Sequence, residues 1–229
     1  MKIIEKICKN HENRLENPIP TICFFGDSLT QGAFRTHTDY EAVYHNRIKK
    51  KLNFIFPDAV VNIINSGIGG TTAEFGVGRL ERDVISKNPD LCVVCFGLND
   101  AGGREEGLDT YKNSLDTIFK KLNQTGMEVI FMTPNMMNTA ITDIIPEQHA
   151  EYAVYTMDIQ NNGIMDKYME CAIAVAKENN VPVCDCYARW KKLAECGVDT
   201  NRLLANGINH PLRQMHELFA DALLETMFD

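Results

Sequence analysis

Four short segments carry side chains suited to acyl-transfer chemistry: Gly26-Asp27-Ser28-Leu29, Asn65-Ser66-Gly67, Gly97-Leu98-Asn99-Asp100 and Asn209-His210-Pro211. A serine hydroxyl becomes a nucleophile once a base takes its proton, and a histidine is that base near neutral pH. Backbone N–H groups beside glycine, or an asparagine amide, can bind the oxyanion that attack creates. Serine, glycine, asparagine and histidine together are the minimum set for cleaving an ester. Singly, each segment is weak: a serine between strand and helix more often caps the helix, Asn-Asp forms turns, and a lone histidine is more often structural. His210 stands out because the loop Asn206-Gly207-Ile208-Asn209 precedes it and a helical pattern follows. His11, His37, His45, His149 and His216 have no comparable context. No His-x-x-x-His or His/carboxylate spacing points to a metal, so neither metal nor cofactor is expected.

Residues as far apart as 28 and 210 meet only if the elements between them bring them to one edge. Short β-branched or apolar runs at 21–25, 60–65, 91–96, 128–133 and 181–186 read as strands, and longer helical patterns separate them. That alternation predicts an α/β fold with a parallel sheet covered on both faces. Helical spacing shows in Val43, Tyr44, Ile48 and Leu52, in Tyr111, Leu115, Ile118, Phe119 and Leu122, over 165–179 and over 214–227. Thr71 with Glu74 predicts a capping box for the second helix, Asn88-Pro89 its end, and Gly126 the stop of the third. The first three chemical segments then lie where strands end, at the carboxyl edge where open α/β sheets bind ligands. Residues 135–163 break the rhythm, with Met136, Met137, Ile141, Ile144 and Ile145 among polar residues. A connection that long predicts either a substrate-facing lid or a surface excursion.

A chain of 229 residues can bury one large core, so a single domain over 1–229 is expected, with 1–20 as a helical arm. The net charge of -8 argues against nucleic acid or an anionic membrane as the main partner. No run of 18 apolar residues predicts a membrane span, and residues 1–17 lack the continuous apolar stretch of a signal peptide. A cytoplasmic protein with reduced cysteines is expected. Cys92 and Cys95 form a C-x-x-C, but inside a strand residues three apart face opposite ways, which excludes a shared metal. The glycine-rich Asn65-Ser66-Gly67-Ile68-Gly69-Gly70 lacks the Walker spacing, G-x-G-x-x-G and a following lysine, which argues against a phosphate cradle.

The four segments resemble the sequence blocks of the SGNH, or GDSL-type, hydrolases, from Gly26 to Pro211. The resemblance implies a three-layer α/β/α, flavodoxin-like fold whose five parallel strands run in the order 2-1-3-4-5. It also implies Ser28 as nucleophile and His210 as base, with Ser28, Gly67 and Asn99 as oxyanion donors. Asp27, Asp100 and Asn206 stand beside them as supporting residues. The family commonly places an aspartate three residues before the histidine, where this chain has Gly207, and Asn206 one residue earlier is not an acid. A dyad is therefore expected, with a backbone carbonyl or a remote carboxylate holding the Nδ1 proton. The family spans lipases, lysophospholipases, thioesterases, arylesterases and carbohydrate deacetylases. An aromatic content of 8%, the acidic charge and no amphipathic membrane helix favour short-chain, acetyl-type esters of a small soluble or carbohydrate substrate. A non-catalytic flavodoxin-like binding domain is the alternative of another class.

Overall fold

A computed structural model describes residues 1–229. Strands β1 (Thr21–Gly26), β2 (Asn62–Gly67), β3 (Leu91–Cys95), β4 (Glu128–Met132) and β5 (Val183–Cys184) form one parallel sheet in the order β2-β1-β3-β4-β5. The helices are α1 (Lys2–Glu12), α2 (Ser28–Gln31), α3 (Tyr44–Ile55), α4 (Ala73–Asp83), α5 (Leu108–Gln124), α6 (Ala150–Asn161), α7 (Ile164–Glu178), α8 (Cys186–Glu195) and α9 (His216–Phe228). One layer joins α3, α9 and α1, and the other joins α4, α5 and α7. The inner strands β1 and β3 are buried at nearly every position, as a sheet covered on both faces requires. The expected strand order and layering are those observed. Register places Gly26 beside both Gly67 and Cys95, so β1, β2 and β3 release their chains side by side at one edge.

The second strand runs two residues later than the 60–65 expected. Val60 lies before it, its N–H held by Asn10 Oδ1 at 2.8 Å, and pairing with β1 starts at Asn62. The fifth run, expected over 181–186, pairs only at Val183–Cys184. Asp185 ends it by capping α8, accepting from Ala188 N–H at 3.0 Å and from the Thr133 hydroxyl at 2.9 Å. Helix α8 is hidden in the sequence behind that apolar run, and it buries Tyr187 and Trp190. Helix α6 is hidden for the opposite reason: Thr156 and Gln160 share its buried side with Ala153 and Ile159, so polar residues interrupt the apolar period.

The expected Thr71–Glu74 capping box is corrected by one residue. Thr72 caps α4, accepting from Phe75 N–H at 3.3 Å, while the Thr71 hydroxyl donates to the Ile68 carbonyl at 2.7 Å. Asp100, arriving from the end of β3, takes the Ala73 N–H at 2.8 Å and supplies the acceptor that a helix start favours. Helix α4 itself stops at Asp83, and a short 3-10 turn over Ile85–Lys87 leads to Asn88 at φ 47°. Gly126, at φ 80°, follows the end of α5 as expected. All eight cysteines are free thiols, and Cys92 and Cys95 are buried in β3.

Candidate active site

β1 ends at Gly26, where a Cβ would lie 2.2 Å from Thr30 Oγ1 and 2.4 Å from the Cys95 carbonyl oxygen, so no side chain fits. The chain can therefore turn at once into α2. Asp27 caps that helix through Oδ1, which accepts from Leu29 N–H at 2.9 Å. Ser28 is the first helical residue, and its N–H is one of the donors that a helix start leaves free. Its Oγ lies 3.0 Å from His210 Nε2, and His210 Nδ1 lies 2.9 Å from the Phe34 carbonyl oxygen. A carbonyl only accepts, so Nδ1 carries the proton, and Nε2 is left to accept from the serine hydroxyl. Burial pushes the His210 imidazole below the usual histidine pKa, against the opposing effect of the Phe34 hydrogen bond. The ring is thus neutral at pH 7 and ready to take a proton.

No acid orients His210, and the site shows why. Gly207 sits at φ 70°, and a Cβ there would lie 2.7 Å from Ile145 Cγ1 and 2.9 Å from Ile144 Cγ1. Asn206 has a different task. Its Oδ1 accepts the N–H groups of Ile208, Asn209 and His210 at 3.0, 3.0 and 2.9 Å, and its Nδ2 donates to Asn209 Oδ1 at 3.0 Å. One side chain therefore ties the whole loop that presents the base. Of the two acceptors anticipated for Nδ1, the structure places a backbone carbonyl there.

Asn99 reaches the same edge from the end of β3. Its Nδ2 donates to the Thr71 carbonyl at 2.9 Å and lies 3.5 Å from Asp27 Oδ2. One N–H is held by Thr71, which fixes the amide and leaves the second hydrogen only the long contact. Gly67 does not occupy the expected donor position. Its N–H is already taken by Asn65 Oδ1 at 2.9 Å, and a Cβ there would lie 2.2 Å from Gln31 N. This glycine lets β2 abut α2. Gly70, at φ 74°, lines the cavity instead, and its N–H has no acceptor within the protein. The doublet Gly69-Gly70, just past the strand, is the sequence signal for it.

Asp27 and Asp100 flank Asn99 as buried carboxyls, each pushed up to about 7 mainly by burial. Asp100 Oδ2 has no hydrogen-bond partner, which suits a protonated acid. Around Ser28 and His210 opens a cavity of about 390 Å³. Its wall includes Gln31, Arg35, Asn99, Asn206 and Asn209, together with Pro146, His149 and Tyr152 from residues 135–163. Arg35, His149 and Tyr152 lie outside every motif, so sequence pattern has no means of selecting them. The start of that long segment is tied down: Gln160 Oε1 accepts Met137 N–H and Asn201 Oδ1 accepts Thr139 N–H, at 2.9 and 2.8 Å.

Several known proteins are similar to this chain. An acetylxylan esterase of Geobacillus stearothermophilus is 26% identical over 132 residues, covering 49% of this chain and 58% of the esterase. An uncharacterized lipoprotein, YqeF, of Bacillus subtilis (strain 168) is 28% identical over 116 residues, covering 48% of this chain and 46% of the lipoprotein. The chain thus spans about half the length of the curated relatives it matches. Among solved structures, a two-domain esterase (CEX) active on acetylated mannans superposes with a TM-score of 0.73 at 21% identity, over 99% of this chain and 52% of that one. A variant of Axe2, an acetyl xylan esterase from Geobacillus stearothermophilus, does so at 0.70 and 22% identity, over 91% of this chain and 94% of that one. At those identities the likeness concerns the fold. Residues 24–218 match the GDSL-like Lipase/Acylhydrolase family, a span that contains all four chemical segments, and the chain belongs to that family.

Proposed function

We propose that this protein is a serine ester hydrolase that removes acetyl groups from a small carbohydrate ester through an acyl-enzyme. The observation that carries this reading is the line from the Phe34 carbonyl through His210 to Ser28 Oγ, with 2.9 and 3.0 Å links. His210 Nε2 takes the Ser28 proton as Oγ attacks the acetyl carbonyl carbon. The oxyanion then accepts from the N–H groups of Ser28 and Gly70 and from the Asn99 amide. The imidazolium returns its proton to the leaving sugar oxygen as the C–O bond breaks, and water, deprotonated by the same ring, releases acetate.

The choice of acetyl and carbohydrate rests on two supports. Gln31, whose Nε2 has no partner, and Arg35 line the cavity and suit hydroxyl groups, while Tyr152 offers a partly exposed ring. The relatives named for a substrate act on acetylated xylan or mannans. The test is intact mass after a fluorophosphonate beside p-nitrophenyl acetate turnover, in the wild type and Ser28→Ala, followed by acetylated xylooligosaccharides. A single adduct and turnover confined to the wild type are expected. Turnover that survives in Ser28→Ala would sink the mechanism, and rates that climb with acyl length would move the substrate to lipids.

A further inference from the structure

His210 owes its tautomer to a main-chain carbonyl, and a carbonyl is only as well placed as its loop. Phe34 lies in a small closed turn: Gly32 is at φ 95°, Ala33 bridges Thr38, Phe34 N–H donates to the His37 carbonyl at 3.1 Å and Asp39 N–H to the Gly32 carbonyl at 2.8 Å. The start of the turn is tied to α2, where the Ser28 carbonyl accepts the Gly32 and Ala33 N–H groups at 3.0 and 2.9 Å, and from Phe34 onward its backbone bonds close on the turn itself. Three residues beyond His210, Arg213 reaches across to it: Nε donates to Asp39 Oδ2 at 2.7 Å, a terminal nitrogen lies 3.1 Å from His37 Nε2, and the guanidinium carbon stands 4.5 Å over the Phe34 ring. Asp39 is held in turn by Glu41 and Ala42 N–H, both at 3.1 Å. The Arg213 carbonyl accepts from Arg47 of α3 at 2.9 Å, so the clamp is anchored to the helical layer.

Resting on the hydrolase reading above, we infer that Arg213 and Asp39 are positioning residues that hold the Phe34 carbonyl against His210, replacing by a two-point clamp the acid that Gly207 cannot carry. His210 bonds to Phe34, and a second link is made by Arg213, which meets the turn at Asp39, at His37 and over the Phe34 ring. If the second link opens, the turn can drift, the Nδ1 proton loses its acceptor, and the imidazole is free to rotate away from Ser28. The ion pair is partly exposed, with 42% and 26% of the two side chains accessible, so its share of global stability is small while its share of alignment is large. That asymmetry makes the inference testable.

The experiment compares wild type, Arg213→Met, Asp39→Asn, their double variant and Arg213→Lys as full chains. The readouts are kcat and KM on p-nitrophenyl acetate, melting temperature, and the proton NMR signal of the His210 Nδ1–H. A small acetate ester does not need the outer cavity, so a role in binding the rest of the substrate would leave kcat on this ester unchanged. We expect kcat to fall about 10- to 100-fold in each of the first two variants, the size of effect that a misplacement near 1 Å produces. KM and melting temperature should stay near wild type, and the Nδ1–H signal should broaden or vanish. The double variant should lose no more than either single one, because the two residues act as one link, and Arg213→Lys should keep most of the rate. Unchanged kcat with an intact Nδ1–H signal in both single variants would overturn the clamp. So would rate losses that track a collapse in melting temperature. A wild type that forms no acyl-enzyme would refute the hydrolase reading instead.

Discussion

A histidine oriented by a peptide carbonyl works under different constraints from one oriented by a carboxylate. A carboxylate stabilises the imidazolium by charge, whereas the Phe34 carbonyl offers only a dipole, so burial dominates and the His210 pKa falls below its ordinary value. The base is active when neutral, so lowering its pKa extends activity downward in pH. We expect the acidic limb of kcat/KM to have its midpoint below the ordinary histidine value of about 6.5, measured with an ester whose own hydrolysis is slow there. Asn99→Ala should lower kcat about 10²- to 10³-fold, the usual cost of one oxyanion donor, with KM little changed. Asn206→Ala would leave three loop N–H groups without their shared acceptor, and kcat should drop together with melting temperature. Ser28 and His210 can be picked out by residue type and order, and Asn99 by its place after a strand. Gly67 misleads because a glycine in a sequence shows only that backbone can come close, and not to what. Here it comes close to α2.

That approach sets the geometry of the site through the elements that meet there. Ser28 rides on a four-residue helix held between β1, the Asp27 cap and the end of β2. A methyl group at position 67 would press on Gln31 N and the Thr30 carbonyl carbon, which are backbone atoms with no rotamer to yield. Gly67→Ala should therefore destabilise the fold by about 1–3 kcal/mol, the range for overpacking, and shift α2 enough to lower kcat as well. Gly70→Ala meets no neighbouring atom and strains only its own φ, so its effect should fall on kcat with a smaller change in melting temperature. Urea unfolding and steady-state rates on the pair separate the two roles. Helices with an unbroken apolar face, such as α5 and α7, are legible at once. Helices α6 and α8 are not, because polar groups buried with partners in one and an apolar run shared with a strand in the other blur the period.

Over the entire fold, buried titratable groups pull stability in opposite directions as pH changes. Burial pushes His45 and His216 down to about 4 and about 3, and His210 is also lowered. Below about pH 6.5 the unfolded chain binds protons that these folded histidines refuse, so acidification destabilises the fold. Asp27 and Asp100, pushed up to about 7, do the reverse: between about 4 and 7 the folded state holds protons that the unfolded carboxylates have released. Their contribution is largest at low pH and is lost as pH rises through about 7. Between about pH 4 and 6.5 the two sets oppose each other, so the melting temperature should vary gently there. Asp100→Asn keeps an acceptor for Ala73 N–H and removes one carboxyl from the balance. Its melting temperature should fall more steeply than that of the wild type between about pH 6.5 and 4, and equal slopes would show that Asp100 is ionised in the fold.

The architecture was already fixed by the order of residues, because alternating apolar runs and helical faces admit few arrangements other than a covered parallel sheet. Ser28, His210 and Asn99 could be picked out there too as candidates, since their types and order carry the chemistry proposed for them. Folding had to settle what holds His210, which glycine N–H is left without a partner and what walls the cavity. Phe34 offers a peptide carbonyl, which every residue has, so no side chain could announce it. Gly67 and Gly70 are chemically identical and differ only in what surrounds their N–H. Arg35, His149 and Tyr152 reach the site from segments whose course depends on the packing of the elements around them.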